Sequence, residues 1–419
     1  MKLTDEQKKM LDGTYGPGFQ KAMDMLVKYG NAFDAEQFIK LDSGHIFATD
    51  PLEFVSQILE GVDEIRAVAS IHAAYPAETK WYRTMGIPAE RGEHESKIHE
   101  KRVELMMNAG FLPVFTCAPY LTGNILRKDT IFSWPGSSGI IIGNSLFGGR
   151  GNRDASPTSL CCAITGFTPD MLLYKPENRQ AEMLIQLEGL ELESFSEADF
   201  GALGYYIGSI AGTKNVAVVG PFSKGIAFEN YKYFLSPMPV SGAVSLCHIV
   251  GVTPEAPTLE SVVKPGKSVE KVKVGVKEVK EAYEKLYTAE TNQVDAVLFG
   301  CPHCTISEIK KIVQLLDGNK VTENVRLWVS TCQAIYDLAK KMGYMDVIEN
   351  SGGQMLTDIC IMNIPFRELE TGVKTTATNS ARAAHYHARG GVAGGTGVEV
   401  LYGSTEECIN AAITGKWGG

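Results

Sequence analysis

Short apolar segments alternate with amphipathic segments along the second half of the sequence, and this alternation constrains the fold more than any other feature. The apolar segments have the length of buried strands, and the segments between them repeat their apolar residues with a helical period. Strands that alternate with helices favour a mainly parallel sheet, because a parallel connection needs a crossover. The sequence therefore predicts an α/β fold, with strands at residues 294–300, 325–329, 355–362 and 398–401 and helices at residues 307–316, 334–342 and 405–413.

Three cysteines lie where predicted strands end or run. Cys301 follows the first of these strands, Cys117 follows a short apolar run at residues 112–115, and Cys360 lies within the third strand. The carboxyl ends of parallel strands meet at one edge of a sheet, where α/β proteins bind ligands. Three thiolates from three strand ends match an iron–sulfur cluster that leaves one iron open for substrate. Buried cysteines that only pack are the alternative.

The segment Cys301-Pro-His-Cys304 also fits two other kinds of site. A redox pair of the thioredoxin type would need its βαβ unit near the start of the chain, and a zinc site would need a second pair of ligands. Neither feature is present in the sequence. Packing roles are predicted for four cysteines in apolar or helical surroundings, namely Cys161, Cys162, Cys247 and Cys408.

Charge and cysteine content exclude several classes of protein. The 419 residues include 40 basic and 49 acidic side chains, for a net charge of −9, so no overall positive field attracts nucleic acid or an anionic membrane. Nine scattered cysteines do not form the dense pattern of a disulfide-rich secreted domain. The charged N-terminus and the lack of an apolar run of about 18 residues predict a cytoplasmic protein.

Glycines and two arginines are concentrated at residues 144–153, directly after an apolar run at residues 139–143 that is predicted to be a strand. The glycines and polar residues of this segment predict a loop. Arg150 and Arg153 can bind a carboxylate or phosphate through bidentate hydrogen bonds, and glycines expose backbone N–H groups to the same anion. A surface turn with solvated arginines is the alternative.

A second polar cluster occupies residues 375–382. Ser380 and Arg382 are candidates for substrate contact, although the Thr and Ser side chains of this cluster can equally cap a helix. His385 and His387 would fall on one side of a strand but lack an identifiable third metal ligand.

Composition shifts toward Pro, Val, Lys and Glu at residues 254–280, which predicts two lobes. Their expected ranges are 1–258, with Cys117 and the substrate loop 134–154, and 259–419, with Cys301 and Cys360.

The order of these motifs along the whole chain resembles the large subunit of the aconitase X family. The resemblance rests on Leu3-Thr4 to Gly13, Gly44-His45-Ile46, Thr116 to Tyr120, Trp134 to Arg153, Gly300 to Cys304, Thr357 to Cys360 and Thr378 to Tyr386. It implies aconitase-like three-layer α/β/α lobes with mainly parallel sheets. It also implies a hydro-lyase that removes water from a small hydroxy acid.

The resemblance also implies roles for individual residues. Cys117, Cys301 and Cys360 match the metal ligands of a 4Fe-4S cluster or a smaller iron centre, whereas Cys304 and Cys332 do not. His303 and Ser380 are the expected catalytic residues. The expected substrate-binding residues are Ser137, Ser138, Asn144, Ser145, Arg150, Arg153, Asn379 and Arg382.

In aconitase-like enzymes a serine on a small swivelling domain takes the substrate proton. The chain has no segment left for that domain, so a separate small subunit that supplies the serine is expected.

Gly136 replaces an acidic residue of the family pattern, Gly151 replaces a threonine, and residues 72–76 depart from a Thr-Thr-x-Asn motif. These changes favour retained metal chemistry with an altered substrate. The alternative function is a non-catalytic iron–sulfur scaffold or sensor subunit.

Overall fold

The apolar runs of the sequence form short strands whose side chains are buried on both faces, as parallel strands covered by helices require. The computed structural model of the chain describes residues 1–222, 225–264, 266, 268–370, 372–391 and 397–418. Its strands are β1 (Phe38–Lys40), β2 (Ser43–Ile46), β3 (Ala69–Ile71), β4 (Ile131–Trp134), β5 (Arg150–Arg153), β6 (Phe167–Pro169), β7 (Met183–Leu187), β8 (Val216–Val219), β9 (Cys247–Ile249), β10 (Glu270–Val274), β11 (Ala296–Phe299), β12 (Arg326–Thr331), β13 (Gln354–Thr357), β14 (Thr375–Thr378) and β15 (Glu399–Tyr402).

Helices connect most of these strands and cover the sheets. They are α1 (Asp5–Leu11), α2 (Pro17–Ala32), α3 (Leu52–Ile58), α4 (Trp81–Met85), α5 (Ala89–Asn108), α6 (Ser137–Ser145), α7 (Ser156–Thr165), α8 (Glu197–Ala211), α9 (Phe228–Leu235), α10 (Met238–Ser241), α11 (Val276–Leu286), α12 (Ile306–Leu316), α13 (Gln333–Lys341), α14 (Tyr344–Ser351), α15 (Ala381–His387) and α16 (Thr405–Thr414). None of the described helices combines the length and the apolar character that a membrane crossing requires.

Within the described residues, the strands form three larger sheets, and every pairing in them is parallel. The first sheet has the order β3-β2-β4-β5, the second β10-β7-β8-β9, and the third β13-β12-β11-β14-β15. A small antiparallel pair joins β1 to β6. Strands are added first on one side of β2 and of β11 and then on the other side, so each of these sheets has a topological switch point. Crevices at such points bind ligands in α/β proteins.

The first and third sheets are joined by a shared apolar core and by a backbone bridge. Ala73 and Tyr82 from the first half of the chain pack in one cluster with Trp328 and Leu356 from the third sheet. The N–H of Ala74 donates to the carbonyl of Asp358 at 2.8 Å, and the N–H of Cys360 donates to the carbonyl of Ala74 at 2.8 Å. The carboxyl ends of two sheets therefore face each other across a narrow gap.

Elements with strong local patterns were predicted correctly from the sequence. Strands β11, β12 and β15 and helices α12, α13 and α16 match the predicted segments to within a few residues. Thr4 caps α1 through a reciprocal box, in which the Thr4 side chain accepts from Gln7 N–H and the Gln7 side chain accepts from Thr4 N–H. The division into lobes at residue 258 stays a prediction; β10 follows that position and pairs with β7 before it.

The predicted strand at residues 139–143 is wrong, because this run lies within helix α6. Residues 138–145 of α6 are all buried, so the helix has no solvent-exposed face that would show a helical period in the sequence. Periodicity alone cannot assign a short apolar run to a helix or to a strand. The predicted loop at residues 144–153 is correspondingly shorter. Asn144 and Ser145 end α6, and Arg150 to Arg153 form β5.

Two of the predicted cysteine positions and one histidine pair also differ from expectation. The run at residues 112–115 makes only a single bridge, between Leu112 and Ser70, since Pro113 has no N–H to donate. Strand β13 ends at Thr357, so Cys360 lies in the loop that follows it. His385 and His387 lie in helix α15 rather than in a strand. Ser380 caps the start of this helix, which is the second of the two roles considered for it from the sequence.

Gly300 gives the loop after β11 a shape that other residues do not adopt easily. Its φ is +110°, and a Cβ atom at this position would lie 2.2 Å from the carbonyl oxygen of Ser330 on the neighbouring strand. The loop that contains Cys301 therefore begins where β11 and β12 lie too close together for a side chain at position 300.

Replacing Gly300 with alanine should lower the free energy of unfolding by roughly 2–5 kcal/mol, because the variant adds both backbone strain and a clash with Ser330. Urea unfolding would measure the change. Gly318→Ala is the matched control, since Gly318 has φ +76° but open space around its Cβ position; it should cost roughly 1 kcal/mol. Equal costs for the two variants would contradict the close approach at Gly300.

Candidate active site

A cavity of about 420 Å³ lies where the carboxyl ends of the first and third sheets face each other. Each strand of the first sheet sends at least one residue to its wall: Phe47 follows β2, His72 follows β3, Ser137 follows β4, and β5 ends at Arg153. From the third sheet, Cys301 follows β11, Cys360 follows β13, and Arg382 follows β14. The cavity therefore occupies the switch-point crevices of both sheets.

Cys117, Cys301 and Cys360 line this one cavity although they come from three separate segments. Cys301 and Cys360 are buried, at 5% and 8% exposure. Burial raises the pKa of the Cys117 thiol to about 12, and the nearby Cys301 and Cys360 thiols add to the rise. Burial raises the pKa of Cys301 to about 12 as well, and it raises the pKa of Cys360. Thiolates at these positions therefore require positive charge close by.

The donor set of the cavity suits an iron–sulfur group. Among the residues that the structure describes, no three His, Cys, Asp or Glu side chains form a preassembled site for one metal ion. The cysteines that hold an iron–sulfur cluster bind different irons, so their sulfur atoms need not share one coordination sphere. Three thiols on the wall of one cavity are therefore chemically appropriate ligands for such a group.

The imidazole of His303 ties together the segments that carry the three cysteines. Its Nε2 lies 2.8 Å from the carbonyl oxygen of Ile359, which precedes Cys360, so Nε2 carries the hydrogen. Its Nδ1 lies 3.0 Å from the hydroxyl of Thr116, which precedes Cys117 and therefore donates. Burial lowers the pKa of His303 to about 4, so the ring is neutral near pH 7.

The backbone of His303 reaches the cysteine cluster as well. Its N–H donates to the sulfur of Cys117 at 3.2 Å. Both ring nitrogens are engaged in the bridge, so the contact of this residue with a cysteine sulfur is made by the main chain. The catalytic role expected for the His303 side chain stays a prediction.

A buried lysine supports the Cys301 loop from the side opposite the cavity. Lys232 on α9 is fully buried, and its ammonium group lies 3.4 Å from the carbonyl of Pro302 and 3.2 Å from that of His303. Its charge is balanced by Glu308 near the start of α12, at 2.5 Å. The loop is held between this ion pair and the His303 bridge.

Two guanidinium groups supply the positive charge of the cavity wall. Arg382 donates to the hydroxyl of Ser137 at 3.0 Å, and its guanidinium carbon lies 5.4 Å from the centre of the Tyr386 ring. Burial lowers the pKa of Arg153, yet a guanidinium remains charged at neutral pH. Arg382 also lowers the pKa of both Cys301 and Cys360. This wall can therefore bind an anionic ligand beside the thiols.

Five of the expected site residues do not line the cavity. Their side chains have partners elsewhere: Asn144 pairs with the backbone of Gly151 and Ser245, Ser145 accepts from the N–H of Cys247, Arg150 pairs with Asp129, Asn379 donates to Tyr233 and Thr405, and Ser380 caps α15 and donates to the carbonyl of Cys301. The residues that the cavity does bring together are Cys117, Ser137, Ser138, Arg153, Cys301, His303, Cys360 and Arg382.

Sequence reasoning missed part of the cavity wall. Phe47, His72, Tyr75 and Tyr386 also line the cavity. A usable signal existed for His72 and Tyr75, because residues 72–76 stand where the family pattern has a Thr-Thr-x-Asn motif. Neither Phe47 nor Tyr386 carries a chemical signature that separates it from an ordinary core residue.

Comparison with known proteins accounts for nearly the whole chain. Models of the first, second and third domains of aconitase X match residues 1–177, 181–284 and 294–414. The phosphomevalonate dehydratase large subunit of Methanocaldococcus jannaschii is 33% identical over 98% of this chain and 99% of its own length.

The chain belongs to the aconitase X family.

Other members of the aconitase X family extend this result. The cis-3-hydroxy-L-proline dehydratase of Hypocrea jecorina is 28% identical over 99% of this chain and 69% of its own length. The crystal structure of aconitase X from Thermococcus kodakaraensis, described as a holo-form, matches with a TM-score of 0.85 and 26% identity over 98% of this chain and all of that one. The predictions of an aconitase-like α/β fold and of a hydro-lyase are confirmed.

Replacing His303 with leucine should lower the free energy of unfolding by about 1–3 kcal/mol, because the Thr116 hydroxyl loses its buried acceptor and the Ile359 carbonyl keeps only the Ser330 hydroxyl as a partner. Urea unfolding would measure this change. The control is His385→Leu, which removes one bond to the Tyr205 hydroxyl at a partly exposed position and should cost less than about 1 kcal/mol. Unchanged stability of the His303 variant would contradict the bridging role.

Proposed function

We propose that this chain is the large subunit of a two-subunit hydro-lyase that removes water from a small hydroxy acid. The observation that carries the proposal is the single cavity in which Cys117, Cys301 and Cys360 face the same space as Arg153 and Arg382. Cysteines suit a metal cluster, and guanidinium groups suit the carboxylate of the substrate. The family relationship supports the same reaction class.

The three cysteines are the residues that would hold an iron–sulfur cluster, most simply a 4Fe-4S cluster, although a smaller iron centre fits the same set. The donor set is appropriate, since thiolates are the usual ligands of such clusters. When bound, the cluster supplies a Lewis-acidic iron for the departing hydroxyl group. The N–H of His303 donates to the sulfur of Cys117, and hydrogen bonds of this kind adjust the electronic properties of a cluster.

The remaining wall binds and orients the substrate. Arg382 and Arg153 hold its carboxylate, and the hydroxyl of Ser137, which accepts from Arg382, keeps that guanidinium in one orientation. Ser138 at the first turn of α6 offers a further hydroxyl. Asn144, Ser145, Arg150, Asn379 and Ser380 act as supports, because their side chains fix the backbone around α6, β5 and α15 rather than reach the cavity.

A small partner subunit completes the active site and supplies the serine that takes the substrate proton. Relatives that are named large subunits match this chain over nearly their full length, whereas the hydroxyproline dehydratases match over 69% and so carry further sequence of their own. The partner would close the cavity and exclude water from the reaction. We place the pair in the cytoplasm, whose reducing conditions suit a chain whose nine cysteines form no disulfide bond with one another.

Replacing Cys117, Cys301 or Cys360 with serine should lower the iron and sulfide content by about tenfold or more and remove the visible absorbance, because each loses a cluster ligand. The measurement is iron and sulfide analysis of chain purified without oxygen. Cys304→Ser is the matched control: Cys304 is buried and belongs to the same loop but does not line the cavity. Loss of iron in this control, with iron retained in the Cys117 variant, would overturn the ligand assignment.

The purified chain alone should show negligible dehydration, and adding the small subunit should raise turnover by about 10²–10⁴-fold, the usual contribution of a positioned acid–base group. Mevalonate 5-phosphate and cis-3-hydroxy-L-proline are the first substrates to assay. Robust dehydration by the chain alone would contradict the need for a partner. A pair that holds iron but dehydrates no hydroxy acid would instead favour the scaffold or sensor function.

A further inference from the structure

His72 faces the cavity but has no part in the function proposed above. It directly follows β3, is 5% exposed, and packs at a ring-centre distance of 4.2 Å, with the rings tilted by 55°, against Phe47, which also lines the cavity. The ring of His45 lies 5.3 Å away, centre to centre. These two rings hold the imidazole of His72 in place in the cavity wall.

One ring nitrogen of His72 is left to interact with a ligand. Nδ1 lies 3.0 Å from the carbonyl oxygen of Ala73, and a carbonyl oxygen only accepts, so Nδ1 carries the hydrogen. In the neutral ring Nε2 is then an acceptor. Burial lowers the pKa of His72 well below its usual value, and His45, His303 and Arg382 lower it further, so the neutral form dominates.

Gly136 leaves the space that this ring edge occupies. A Cβ atom at position 136 would lie 3.3 Å from both Cδ2 and Nε2 of His72, which is closer than an ordinary contact. The φ of Gly136 is −75°, a value that any residue adopts, so the missing side chain matters here for room and not for backbone conformation. Nε2 therefore borders the cavity where a side chain at position 136 would begin.

The charges around His72 favour anionic ligands. Asp154 is the single carboxyl group among the described residues of the cavity wall, and its oxygens already accept from the hydroxyls of Tyr29, Ser133 and Tyr174. Apart from the three cysteines that would hold the cluster, Arg153 and Arg382 are the charged groups of the described wall left to face a ligand. A ligand ammonium would thus meet two positive charges and no available carboxylate, which makes its burial costly.

We infer that His72 is a specificity-determining residue that accepts a hydrogen bond from a substrate hydroxyl through Nε2, in a cavity that selects hydroxy acids without an amine over amino acids. The inference rests on the proposed function, because it takes the cavity to be the hydroxy-acid site. It adds the residue that recognises the substrate hydroxyl and the charge arrangement that excludes an amine.

Titration calorimetry on the full chain, purified without oxygen, tests the inference with mevalonate 5-phosphate, malate and cis-3-hydroxy-L-proline as probes. At least one of the two dianionic acids should bind about tenfold or more tightly than the amino acid. His72→Phe keeps the ring contact with Phe47 but removes the acceptor, and it should weaken binding of that acid about tenfold. His72→Gln, whose side-chain oxygen also accepts, should recover most of the affinity.

The matched control is His248→Phe. His248 is buried and bonded to a backbone carbonyl, that of Arg179, and its second ring nitrogen has no hydrogen-bond partner, but it lies outside the cavity wall. This control should leave affinity unchanged. Gly136→Ala provides a second variant if His72→Phe folds poorly, since the added methyl group displaces the Nε2 edge and should also weaken binding.

Equal affinity for the amino acid, wild-type affinity in both His72→Phe and Gly136→Ala, or no saturable binding of any probe would overturn the inference. The outcome is separable from that of the proposed function, because binding is measured without turnover. Selective binding through His72 without dehydration by the two-subunit pair would refute the proposed function alone. Dehydration with binding that ignores His72 would refute this inference alone.

Discussion

The bridge made by the His303 imidazole is the interaction on which the cavity depends. One neutral ring joins the hydroxyl of Thr116 to the carbonyl of Ile359, and thereby connects the segments of Cys117 and Cys360 to the loop that contains Cys301. Neither partner is close to His303 in the sequence. Both hydrogen bonds are buried, where an unpaired donor or acceptor costs about 1–3 kcal/mol. The arrangement of the three cysteines is therefore a property of the folded core and not of any one loop.

The charges around this bridge follow from its burial. A loop closed on one side by apolar packing cannot present carbonyl groups to water, so the ammonium of Lys232 donates to those of Pro302 and His303, and Glu308 balances its charge. On the opposite side, thiolates would be costly in a buried cavity unless positive charge were near. The guanidinium of Arg382 supplies part of that charge and leaves the remainder to a bound metal cluster and to the substrate-binding wall.

The sequence predicted four strands of the third sheet, because strands such as β11 are short, apolar and followed by an amphipathic helix with a capping residue. The position of Cys301 at a strand end follows directly from that pattern. Strand β14 was missed, since its Thr-rich sequence has no apolar run. The strand positions that grouped Cys117 and Cys360 with Cys301 are wrong, since their segments form loops. The family resemblance supports the same grouping independently of those strands. Local sequence patterns carry no information about hydrogen bonds, such as those of His303, between residues that lie far apart in the chain.

The remaining differences have specific physical reasons. Helix α6 is buried on nearly every side, so its isoleucine run resembles a strand, and Asn144 at its end pairs with the backbone instead of a ligand. Arg150 and Arg153 are three residues apart on one strand, which points them to opposite faces, and only Arg153 reaches the cavity. Phe47 becomes visible as a cavity residue only once the first and third sheets face each other.

The central claim is that Cys117, Cys301 and Cys360 together hold one iron–sulfur group in this cavity. Diffraction from crystals grown without oxygen, recorded at the iron absorption edge, tests it most directly. The account predicts a single compact anomalous peak in the cavity, in contact with all three sulfur atoms. Iron bound instead at Cys304 or Cys332, or three unligated thiols in a chain that retains full dehydratase activity with its partner, would contradict it.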